Sequence, residues 1–149
     1  MQYPRYDDLL VYNDFKEYSF TSIGPNGNIN KIVQFTQIED NIFNLAFGNR
    51  LEDGSLDDLA KNDNKDRNKI LATVVFAINL FFTEYPEKMI YFSGSTPERT
   101  RLYRMAITVN LEELLLDFEI FGIYQQMESF ITVPFEKGID YFGFLIRKK

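Results

Sequence analysis

The chain has 149 residues, 45% hydrophobic and 26% charged, with a formal net charge of −6, 15 Phe and 9 Tyr but no Cys, His or Trp. That length suits one globular domain, burying about 68–70% of the surface its unfolded chain exposes, and the composition argues against disorder and excludes disulfides, thiolate zinc sites, cysteine nucleophiles and any Ser-His-Asp triad. The acidic balance argues against coating nucleic acid by bulk attraction, and the longest nearly apolar run, residues 70–82, is too short for a membrane span of about 20 residues.

Residues 1–16 mix aromatics and acids without a clean period and read as an arm or short helix packed on the body. The start, Met1-Gln2-Tyr3-Pro4-Arg5-Tyr6, lacks the basic and apolar regions of a secretory leader, so cytoplasm is the default location. From residue 17 the pattern turns to strand. Residues 18–23 and 29–38 flank the cluster Gly24-Pro25-Asn26-Gly27-Asn28, a hairpin signal because Asn and Gly tolerate positive φ. In the second of these strands Val33, Phe35 and Gln37 share a face. A third strand, 41–47, alternates with Phe43, Leu45 and Phe47 on one side and is expected to pair antiparallel with the second.

Residues 48–66 form a long polar loop in which Leu56 and Leu59 pin at most a short turn. Its carboxylates do not match the calcium-loop pattern, so no metal site is assigned. The first main helix starts near Asn64 or Asp66, both able to cap it, and ends before Pro86. Ile70, Leu71, Val74, Val75, Phe76, Ala77, Ile78, Leu80, Phe81 and Phe82 cover nearly its whole circumference, and a helix apolar on all sides must be covered on all sides.

A strand at 89–92 leads into a second helix in which Leu102, Met105, Ala106 and Val109 share a face. Asn110-Leu111-Glu112-Glu113 has the form of a capping box, which predicts a break before a short third helix ending at Asp117; one continuous helix is the competing reading. Residues 118–124 and 141–146 read as two further strands, with Pro134 and Gly138 between them. The resulting order, βββ-α-β-α-ββ, predicts a single α+β domain over 1–149, a mostly antiparallel sheet with two main helices on one face.

The junction 93–104 carries the candidate chemistry. Ser93, Gly94, Ser95 and Thr96 place small residues and hydroxyls where a strand gives way to a helix, whose N-terminus offers free backbone N–H groups to an anion. Pro97 and the Ser95 or Thr96 cap also have purely structural reasons to be there. Three of the seven arginines, Arg99, Arg101 and Arg104, follow. At about 100° per residue, Arg101 and Arg104 share a face and Arg99 lies about 160° from Arg101, so the spacing offers a two-arginine clamp at most. No P-loop is present. Adjacent Glu112 and Glu113 point in different directions and read as solvated rather than as an acid–base pair. The terminal Arg147-Lys148-Lys149 reads as a solvated end able to supplement a basic patch.

The motif Phe92-Ser93-Gly94-Ser95-Thr96-x-x-Arg99-Thr100-x-Leu102-Tyr103, with the terminal Tyr141-Phe142-Gly143-Phe144-Leu145-Ile146-Arg147-Lys148-Lys149, resembles a family of small uncharacterised bacterial proteins, mainly of Bacteroidetes. The resemblance runs from the first hairpin to the end, and it implies a cytoplasmic bacterial protein and no activity.

Two functions follow as expectations. The leading one is a non-catalytic domain that binds a protein partner or itself, as a homodimer, with no catalytic residue, cofactor, metal or membrane contact. The alternative is a nucleic-acid- or nucleotide-directed protein, such as a toxin-like ribonuclease. There Arg99, Arg101 and Arg104 hold phosphate, Ser93, Ser95 and Thr96 line the seat, and Tyr103 stacks or transfers a proton.

Overall fold

A computed structural model describes residues 3–60 and 63–149. Met1 and Gln2 of the expected arm, and Lys61 and Asn62 of the expected loop, lie outside the described residues. Among the described residues, nine strands and three helices make an α+β fold in which every described pairing except one is antiparallel. The chain sorts into two compact units, residues 1–36 with 45–86 and residues 37–44 with 87–149.

The first unit holds β1 (Leu10–Tyr12), β2 (Glu17–Gly24), most of β3 (Gly27–Glu39), most of β4 (Ile42–Arg50), β5 (Leu56–Asp57) and α1 (Arg67–Glu84). The β2–β3 register closes on Gly24 opposite Gly27, so the turn residues are Pro25 and Asn26, with the positive φ of 88° falling on Gly27. Alternation buries Tyr18, Phe20 and Ser22 on β2 and Val33 and Phe35 on β3, while Gln37 is exposed. From α1, Phe81 stacks on Phe35 at 4.3 Å between ring centroids, and Tyr18 meets Phe35 edge-on at 5.7 Å. Every residue of α1 from Ile70 to Phe82 is buried or half-buried, so the all-round apolar helix is covered all round.

Asp66 occupies the position before α1, yet its carboxylate does not cap the helix. It accepts hydrogen bonds from the Tyr6 and Ser22 hydroxyls instead. Tyr6 is buried, takes the Ile23 N–H on its hydroxyl at 3.0 Å, and donates its own backbone N–H to Thr73 Oγ1 at 2.9 Å. Asn64, also buried, donates to Ser22 Oγ and the Gly27 carbonyl and accepts the Asn26 N–H. These bonds tie the start of the chain and the hairpin turn to the helix entry. A Cβ on Gly24 would overlap the Asn64 carbonyl, which requires glycine there.

Two expectations change in this unit. The arm contains a short strand, β1, paired antiparallel with β2. The polar loop is partly built, because β5 pairs with the end of β4 through Asn49↔Asp57 and Arg50↔Leu56. Asp53 accepts the Ser55 N–H and hydroxyl, closing the intervening turn.

The second unit places β6 (Met89–Phe92) beside the first residues of β4 in the one parallel pairing, then β9 (Gly143–Lys148), β7 (Phe118–Gln126) and β8 (Ser129–Pro134). Strand β8 is absent from the expected order. Ile90, Phe118, Ile120, Phe144 and Ile146 are buried, with Phe144 touched by Phe92, Phe135 and Tyr141. Gly122 leaves room for the Tyr141 ring against the sheet. Arg147 faces Glu119 in the β7–β9 register and bonds to it, Nε to Oε2 at 2.6 Å, so it serves as a cross-strand ion pair.

The helices α2 (Pro97–Val109) and α3 (Leu111–Asp117) are separate, as the 110–113 pattern predicts. The break is not made by a capping box. Asn110 turns its side-chain amide back to the Ala106 carbonyl at 2.9 Å and caps nothing ahead of it.

Candidate functional site

The β6–α2 turn lines one wall of a cavity of about 950 Å³. Thr96 is the N-cap of α2: its extended backbone aims Oγ1 at the Arg99 N–H, 3.2 Å away, and Pro97 takes the first position, where a missing N–H costs nothing. Thr100 Oγ1 accepts the Gly94 N–H at 3.0 Å, and its own N–H goes to the Thr96 carbonyl. A Cβ on Gly94 would overlap Thr100 and Arg99, so glycine lets the turn close on the helix. Of the N–H groups at helix positions 97–100, only that of Glu98 is left for a ligand.

Of the residues singled out by sequence, Ser93, Ser95, Thr96, Arg101 and Arg104 line this cavity; Arg99 and Tyr103 do not. Arg99 leaves the group for the angular reason already given. Tyr103 packs edge-on against Phe92 at 5.9 Å, which gives it a structural task. Arg104 is held by the Asp140 carboxylate and the Ile139 carbonyl, while Arg101 is exposed and has no ion pair or hydrogen bond among the described residues. The far wall brings in Tyr124, Gln125, Glu136, Tyr141 and Phe142. Two guanidinium groups and two carboxylates therefore share the lining, and their formal charges cancel.

These wall residues escape sequence reasoning because they lie 15 or more positions beyond the end of α2, on β7 and in the segment before β9. Among the described residues, no group of three His, Cys, Asp or Glu side chains is placed to hold a metal ion, and no helix is long and apolar enough to cross a membrane.

The outer face of α2 is the second feature of this region. Leu102, Met105 and Val109 form the stripe that the spacing predicts, and all three face solvent, Val109 at 75% exposure. Only Ile107 is buried on α2. On α3, Leu115 and Leu116 are also exposed, Leu116 at 75%. Large apolar side chains gathered on one helical face mark interaction surfaces more often than scattered ones do.

The fold and these two features define an α+β domain with an outward apolar helical face and a charge-balanced cavity. The chain belongs to the family of unknown function DUF6934, whose model matches residues 2–149. No curated protein and no solved structure matches it.

Proposed function

We propose that this protein is a binding module that associates with a protein through the exposed face of α2 and α3. The observation that carries the reading is the inverted burial of α2, whose apolar stripe Leu102, Met105 and Val109 points to water. Burying apolar surface contributes roughly 25 cal/mol per Å², so a partner covering this face gains what the fold itself forgoes. Hydroxyl-radical footprinting of dilute protein tests it. Leu102, Met105, Val109 and Leu116 should react much faster than Ile107, and protection equal to that of Ile107 would show that the chain covers its own stripe.

A second reading, that the cavity takes a phosphate-bearing nucleotide or RNA, has unpaired Arg101 beside it in its favour. Against it stand the consumed turn donors and the carboxylates of Glu136 and Asp140, which repel a polyanion. RNA binding at low salt, lost in Arg101→Ala, would raise this reading above the first; equal, negligible binding by both proteins would remove it.

A further inference from the structure

We infer that the cavity beside the β6–α2 turn is a binding site for a short peptide with free termini, its carboxylate on Arg101 and its ammonium on Glu136. The inference concerns the cavity alone and is independent of the stripe formed by Leu102, Met105 and Val109.

The hollow is built and held open. Its whole lining belongs to the second compact unit. The segment after β8 is pinned to β7 by the Phe135 N–H on the Ile120 carbonyl at 3.0 Å and the Phe142 N–H on the Ile123 carbonyl at 2.6 Å. Within that segment the Glu136 N–H donates to the Tyr141 hydroxyl at 3.0 Å, and Arg104 reaches across from α2 to the Ile139 carbonyl and the Asp140 carboxylate. A ligand therefore meets a preformed site and avoids the entropic cost of ordering a loop. The volume of about 950 Å³ lies near the upper end of the roughly 300–1,000 Å³ typical of small-molecule sites.

Charge selects the ligand. Arg104 and Asp140 neutralise each other, which leaves one guanidinium, that of Arg101 on the α2 wall, and one carboxylate, that of Glu136 on the far wall. Neither side chain has an ion pair or hydrogen bond among the described residues, and they do not pair with each other. A phosphate satisfies Arg101 and is repelled by Glu136; a simple cation does the reverse. A molecule with opposite charges at its two ends satisfies both. A single amino acid leaves most of the hollow to water, whereas two or three extended residues separate the terminal charges by about 7–11 Å.

The rest of the lining suits a peptide body. Val133, Ile139 and Phe142 offer apolar surface to side chains. The half-buried Ser93 and Tyr124 have hydroxyls with no hydrogen bond among the described residues, and these can serve peptide N–H and C=O groups.

Titration of the isotope-labelled full chain with alanyl-leucyl-alanine, followed by amide NMR shifts, tests this. Resonances within 93–101 and 133–142 should move saturably, with a Kd of about 1 mM or tighter. Acetylating the peptide's amine, or amidating its carboxylate, should each weaken binding about three- to tenfold, the scale of an exposed to partly shielded charge pair. Glu136→Gln should bind the free peptide as weakly as the wild type binds the acetylated one, and acetylation should then have no further effect. Arg101→Gln should behave in the same way toward amidation. Both positions are exposed, and unchanged shifts elsewhere verify that each variant is folded.

No saturable shift in the lining up to about 10 mM peptide overturns the inference. So do blocked peptides that bind as tightly as the free one, or an acetylation effect that persists in Glu136→Gln. Inorganic phosphate that binds the same residues more tightly than the peptide also overturns it, and favours the phosphate-bearing ligand of the second reading above.

Discussion

Helices α1 and α2 are both apolar enough to demand cover, and they meet the demand in opposite ways. Around α1 every residue from Ile70 to Phe82 is at least half-buried, with Phe81 inaccessible against Phe35. Along α2 the apolar stripe is outside, and Ile107 alone is buried. The difference teaches that a hydrophobic period reports a stripe and leaves open what covers it. For α1 that cover includes Phe35 against Phe81 and Tyr6 against Thr73; for α2 the stripe stays open to solvent.

Substitutions sharpen this contrast, beginning with the largest. Phe81→Ala should cost about 3–5 kcal/mol in denaturant unfolding, because it removes a fully buried ring and leaves a cavity beside Phe35. Ile107→Ala should cost about 2–5 kcal/mol by the same mechanism, marking the one side of α2 that belongs to the core. Asp66→Ala should cost about 1.5–3 kcal/mol, since the Tyr6 and Ser22 hydroxyls lose a charged acceptor near the start of α1.

Alkaline pH acts on the same unit. Burial pushes the Tyr18 hydroxyl well above the ordinary phenol value, helped by Tyr85 and Glu84; burial and the Asp66 carboxylate raise Tyr6. A raised folded-state value gives stability that is complete below the unfolded value of about 10 and is lost as pH climbs toward the folded one. Unfolding midpoints should therefore fall steadily above about pH 10, and Tyr18→Phe should flatten the decline. Val109→Asp comes last: at 75% exposure it should change stability by no more than about 0.5 kcal/mol, while suppressing association. A large loss of stability there would place the stripe in the core.

Much of the fold was legible where the signal was local. The Gly-Pro-Asn-Gly turn between alternating runs marked the first hairpin, the apolar run at 70–82 marked α1, and the strand at 89–92 matches β6. The three unforeseen strands lack such signals. β1 and β5 have three and two residues, and β8 is mostly exposed, so no buried alternation announces it. Side chains behaved similarly. The capping potential of Asp66 was readable, but its use by Tyr6 and Ser22 depends on contacts formed across 60 and 44 positions. Helical geometry separated Arg99 from Arg101 and Arg104, whereas Asp140, which engages Arg104, lies 36 positions away and gives no sign of itself in the sequence.

The proposed association rests on the α2 stripe, Leu102, Met105 and Val109, lying open in the monomer. The rate of Met105 oxidation by a mild peroxide, followed by mass spectrometry in dilute protein, reads this directly. We expect a rate close to that of exposed Met127. Oxidation many times slower than that of Met127 would contradict it.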